Sequence, residues 1–144
     1  MTVNLLKLCV GVEDPETLQD YHKVRLAQQK KAKRPLELMH VTRMTPKRAD
    51  ELLDNGSLYW VMKGIVRCRQ RIIELRPLVD DEGKKHCGLV LDHEVILTER
   101  LAKRPFQGWR YLETENAPKD ARAADGEDEM PLELREELRG LGLL

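Results

Sequence analysis

Three arginines at alternate positions, Arg67, Arg69 and Arg71, lie in a segment whose even-numbered residues are apolar: Leu58, Trp60, Met62, Val66 and Cys68. Side chains alternate across a strand with period two, so the spacing predicts a basic row on one face and an apolar face behind it. Lys63 and Tyr59 join that row if the strand is regular, whereas a bulge at Gly64 would bring in Trp60 instead of Tyr59. Guanidinium groups beside an aromatic ring suit single-stranded nucleic acid, because phosphates meet the cations and a base stacks on the ring at ~1–3 kcal/mol. A solvated strand face paired with Glu94 or Glu99 would carry the same pattern.

Other residues extend this chemistry. Arg43, Lys47 and Arg48 are basic, and the last two are expected in the first turn of a helix, where the macrodipole disfavours cations by about 0.3–1 kcal/mol apiece. Such a breach of a local rule points to an anion site at the helix start or to tolerated surface charge. Five of the six aromatic residues fall in two clusters, Tyr59-Trp60 and Phe106, Trp109 and Tyr111. In so aromatic-poor a chain they are most simply core; the functional alternative makes Trp109 or Tyr59 a stacking platform, with Gln107-Gly108 as a tight turn presenting Arg110. His40, His86 and His93 are candidate acids or bases, with Cys87 beside His86. The spacing fits no metal motif, and adjacent strand residues point to opposite faces, so no structural metal and no cofactor are expected. No glycine-rich phosphate loop, nucleophile elbow or paired-carboxylate motif occurs. Cys9, Cys68 and Cys87 read as free thiols on apolar faces.

These residues need a scaffold. Val3 to Val10 reads as a first strand, and Asp14-Pro15-Glu16 as a helix start with a capping carboxylate, a proline in the first turn and an acid beside it. That helix is expected to run to about Lys33 and to end at Arg34-Pro35, with a frayed second half for want of an apolar stripe. Leu36 to Arg43 is a second strand. Thr45-Pro46 opens a short helix through Leu52 and Leu53, stopping at Asn55-Gly56, where glycine can take the left-handed conformation. Leu58 to Leu78 reads as one long strand bent at Gly64, Asp80-Asp81-Glu82-Gly83 as a hairpin turn, and Lys85 to Leu91 and Glu94 to Glu99 as the rest of a meander.

Charge divides the chain. Residues 1 to 110 hold 21 basic against 15 acidic side chains, and residues 111 to 144 hold 4 against 10. A basic body with an acidic tail attracts phosphate, and the tail acids Asp125, Glu127, Asp128 and Glu129 could compete with it. The domain is expected over 1–113, an acidic linker over 114–130, and over 131–144 a short helix with Leu134, Leu138 and Leu141 on one face. No apolar run is long enough for a signal peptide or a spanning helix, so a soluble cytoplasmic protein without membrane contact is expected.

Taken together, His40-Val41-Thr42-Arg43-Met44-Thr45-Pro46, Gly56-Ser57-Leu58-Tyr59-Trp60-Val61-Met62-Lys63-Gly64 and Pro105-Phe106-Gln107-Gly108-Trp109-Arg110-Tyr111-Leu112 resemble a bacterial domain-of-unknown-function family, numbered fourteen eighty-nine. The resemblance covers about residues 3 to 118, leaves out the tail after Ala121, and implies no activity, substrate or cofactor. The order of elements is similar to that of PUA-like pseudo-barrels, which bind RNA or modified bases, a likeness of fold alone. The expected fold is α+β: a curved, mainly antiparallel sheet of five or six strands with two helices and a flexible acidic C-terminal tail. The leading function is a binding module for RNA or another phosphate-bearing ligand. The alternatives are an interaction adaptor docking a protein partner through the C-terminal helix, and a small hydrolase or nucleotide-processing enzyme.

Overall fold

Asp14 caps the first helix as its sequence predicts, its carboxylate accepting from the Thr17 N–H at 2.7 Å with Pro15 next in line. In a computed structural model that describes residues 1–121, this helix, α1, spans Pro15–Lys31 and follows strand β1, Val3–Leu8. Its second half is docked rather than frayed. The Gln29 amide bonds both the N–H and the C=O of Glu37 and so fixes the chain entering β2, Leu38–Thr42. The remaining elements are α2 (Ala49–Leu53), β3 (Ser57–Met62), β4 (Ile65–Val79), β5 (Lys85–Leu91), β6 (Ile96–Ala102), β7 (Trp109–Glu113) and a 3-10 turn at Thr114–Asn116.

The architecture is α+β, with a seven-stranded, mostly antiparallel sheet in the order β2-β5-β4-β3-β1-β7 and β6 paired to β4. One pair, β1 with β3, is parallel. Long β4 is shared: Ile65 to Arg71 pairs with β3, and Ile72 to Val79 with β5. The sheet curls around a core of Val3, Leu5, Leu58, Trp60, Met62, Cys68, Ile72, Leu89 and Leu91, with Leu18 of α1 and Leu52 of α2 packed into it. A second, smaller cluster on the outer face joins Leu6, Tyr59, Val61, Val66 and Leu112, with Phe106 and Ala117 against it.

Three local readings are corrected. The segment from Leu58 to Leu78 is not one bent strand but two strands reversed at Lys63-Gly64, where φ is 51° and 76°. Two central residues with positive φ make the tight hairpin turn that matches strand twist, and Lys-Gly is not among the usual signals for it. The bulge falls instead at Arg67, between Val66 opposite Val61 and Cys68 opposite Trp60. The second helix begins at Ala49, with Arg48 as its N-cap, so Lys47 and Arg48 do not occupy its first turn and a five-residue helix provides no anion site. Asn55, not Gly56, takes the left-handed conformation there (φ 62°), which asparagine tolerates better than most residues.

The chain beyond Glu113, expected to begin the linker, stays on the domain through Ala121. Glu99 N–H donates to Lys119 C=O and Ala121 N–H to Leu97 C=O, so this segment lies along β6. The rest of the predicted linker and the Leu134 helix lie outside the described residues. Among the described residues no helix is long and apolar enough to cross a membrane.

Candidate ligand cleft

The two end strands of the curled sheet, β2 and β7, face each other without pairing. Side chains of β7 reach the segment that follows β2: the Trp109 indole N–H donates to Met44 C=O at 2.9 Å, and the Tyr111 hydroxyl accepts from the N–H groups of Lys47 and Arg48 at 2.9 and 3.1 Å. Trp109 packs edge-on against Tyr111, ring centroids 4.8 Å apart. Between the strands opens a cleft of about 870 Å³ lined by Lys7, Arg43, Trp109, Arg110 and Tyr111 among others. Lys7 also lines a hollow of about 220 Å³ beneath α1, with Arg25, His22, His40, Trp60 and Leu91. Among the described residues neither cavity is lined by an aspartate or glutamate.

The hollow's polar groups are locked in place. Trp60 N–H can only donate and Asp92 C=O can only accept, so buried Gln70 is oriented with Oε1 toward the indole (2.9 Å) and Nε2 toward the carbonyl (2.9 Å). His22 Nε2 lies 3.1 Å from the same Oε1, which makes it a donor. Burial holds its pKa down, with Arg25 adding to the effect, so the neutral ring keeps Nδ1 as an acceptor. His40 meets Trp60 edge-on at 5.1 Å, and its Nε2 is buried without a hydrogen-bond partner. Burial first, then Lys7 and Arg25, push its pKa down to about 4.

A pH dependence follows. The folded pKa of His40 lies below its ordinary 6.5, so its contribution to stability is fully present above pH 6.5 and is lost as pH falls through about 4. Solvent access through the hollow reduces the effect to about 1–2 kcal/mol. Urea melts at neutral pH and near pH 4 are expected to show His40→Leu losing less stability on acidification than the parent; equal losses would mean that His40 takes up its proton without penalty.

The sequence-derived basic row is not kept together. The bulge turns Arg67 toward α1, where it donates to Glu13 C=O at 3.4 Å, while Lys63 on the hairpin turn pairs with the Glu13 carboxylate at 3.0 Å. Arg69 and Arg71 share the outer face with Tyr59, which stands directly opposite Arg69. Asp120 grips Arg69 through two hydrogen bonds of 2.7 and 2.8 Å, and Tyr59 is buried. Arg48 is occupied by Glu51 and Glu113, both at 2.7 Å, which hold its guanidinium firmly charged over the Tyr111 ring. Lys47 is exposed beside the cleft, and Arg110, its guanidinium over Phe106, borders it. Of the residues singled out, the cleft therefore unites Arg43, Trp109 and Arg110.

The three candidate histidines, His40, His86 and His93, have separate partners. His86 bonds Asp80 in the hairpin turn at 2.9 Å, His93 bonds Leu36 C=O, and His40 has only Trp60. Among the described residues no three His, Cys, Asp or Glu side chains cluster to hold a metal ion. Burial pushes the Cys9 thiol up to about 11 and the Cys68 thiol up to about 12, which keeps both protonated and poor nucleophiles.

The model of a family described as protein of unknown function (DUF1489) matches residues 5–144. The chain belongs to that family. The match extends past Ala121, so the acidic tail, outside the resemblance read from the sequence, falls within the DUF1489 span. No curated protein and no solved structure matches the chain. For this DUF1489 chain the cleft's own chemistry is therefore the guide to function.

Proposed function

We propose that the chain is a binding module for RNA or another phosphate-bearing ligand, and that the cleft between β2 and β7 is its site. One observation carries the reading: among the described residues, Lys7, Arg25, Arg43 and Arg110 line two adjoining cavities that no carboxylate lines. A concave wall of one sign focuses its field on the opening and attracts anions. Trp109, pinned through its N–H, supplies an aromatic edge or face at the same opening. The outer face is a poorer candidate, because Asp120 already neutralises Arg69.

The double variant Lys7→Ala, Arg43→Ala is expected to bind single-stranded RNA roughly tenfold or more weakly, with a log-log salt slope shallower by about 1.4 if each cation meets one phosphate. Its melting temperature should stay within a few degrees of the parent. Arg71→Ala on the outer face should change affinity less than about twofold, as surface charges outside a contact do. Fluorescence anisotropy with a labelled oligouridylate across a salt series measures all three. An unchanged affinity in the double variant removes the cleft as the site.

A further inference from the structure

The cleft and the hollow are the middle members of a longer series. Beyond the hollow, a third cavity of about 350 Å³ is lined by Arg25, Arg34, Gln28 and Gln29. Beyond the cleft, a fourth of about 300 Å³ is lined by Arg43, Lys84, Lys85 and His86. Each successive pair shares a cation: Arg25 joins the third cavity to the hollow, Lys7 joins the hollow to the cleft, and Arg43 joins the cleft to the fourth. Of the carboxylates at the two ends, Glu37 and Asp80 are already engaged, while exposed Glu82 shares Lys84 with the track and leaves Lys85 free of it. Glu37 pairs with Arg76 at 2.7 Å, Asp80 accepts from His86 and from two backbone N–H groups, and Glu82 lies 3.5 Å from Lys84.

We infer that the four cavities form one track and that the ligand is an extended single strand of RNA several nucleotides long, not a lone phosphate or mononucleotide. The inference rests on the binding role proposed above. A strand repeats a charge and a flat base at every step, and the track repeats a cation between hollows. The wall of the hollow under α1 is apolar, with Leu18, Leu38 and Leu91, and accommodates a ring better than a charge. A duplex fits less well, because its bases are paired and stacked inside and none is free to enter the apolar hollow without being unstacked. Charge-tracking grooves that bind single strands take about 4–16 nucleotides, and four linked cavities fall at the short end of that range.

The test is affinity against length, with oligouridylates from dinucleotide to decanucleotide and the full chain. Affinity is expected to rise by about tenfold or more from dinucleotide to octanucleotide and then level off, with a log-log salt slope near −2 or steeper for the octanucleotide from the three shared cations. End variants Arg34→Ala and Lys84→Ala, Lys85→Ala should weaken the octanucleotide several-fold and leave the dinucleotide unchanged, while Lys7→Ala weakens both. A dinucleotide that binds as tightly as the octanucleotide, with silent end variants, overturns the track but leaves the cleft as a site. Tighter binding of a duplex or of an oligoglutamate peptide overturns it too, in favour of another polyanion. No binding of any RNA removes RNA as the ligand and the track with it, and indifference to Lys7→Ala removes the cleft as the site.

Discussion

Gly56→Ala is expected to destabilise the protein by about 3 kcal/mol or more, one of the largest effects available to a single added methyl group. Gly56 links α2 to β3: its N–H donates to Leu52 C=O at 2.9 Å, and its C=O accepts from Ile72 N–H at 2.9 Å. A Cβ there would drive into the carbonyl oxygens of Leu52 and Val3, and both obstacles are backbone, which no rotamer change can move. Val3 and Leu52 are themselves fully buried, so the clash passes into the core. Gly83→Ala serves as the control. Gly83 has a positive φ of 80° but nothing within 4 Å of its Cβ position, so it should lose only about 1–2 kcal/mol of conformational preference. Urea denaturation of both variants, followed by circular dichroism, checks the order. Equal losses would mean that the backbone around Gly56 yields to the added Cβ at small cost and that crowding does not make this glycine necessary.

The sequence readings held best where a signal is local. Asp14-Pro15 begins the first helix, Asp80 to Gly83 makes the hairpin turn, and Lys85–Leu91 is a strand with the expected bounds. They missed the hairpin at Lys63-Gly64 and the bulge at Arg67, because alternation continues plausibly through both and only the pairing partner reveals the break. Lys7, which lines both cavities, and Gln70, which orients His22 at the hollow, each leave a signal in the sequence. Lys7 shares parity with Val3 and Leu5, which places a lysine on the inner face of β1, and Gln70 shares parity with Cys68 and Ile72 on β4. A polar residue at a core position is costly unless something there uses it. The cleft was out of reach for another reason. It depends on the curl of the sheet bringing Met44 next to Trp109, 65 positions along the chain, and nothing local encodes that approach.

Gln70→Leu is expected to cost about 2–5 kcal/mol, though leucine fills a similar volume and the site is fully buried. The loss comes from the partners left behind. Trp60 N–H, on a side chain only 4% exposed, would have no acceptor, and Asp92 C=O would lose its side-chain donor. An unpaired buried polar group costs about 1–3 kcal/mol, so the two together approach the upper part of the range. His22 would also lose the oxygen that orients it toward the hollow, so the variant should bind RNA more weakly than its residual stability explains. A double-mutant cycle with Trp60→Phe isolates the central bond, because phenylalanine has no N–H to strand. In the Trp60→Phe background Gln70→Leu should cost about 1–3 kcal/mol less than in the parent. Thermal or urea melts of the four proteins give the coupling directly. Additive losses would show that the indole finds another acceptor, leaving Gln70 to act through Asp92 and His22 alone.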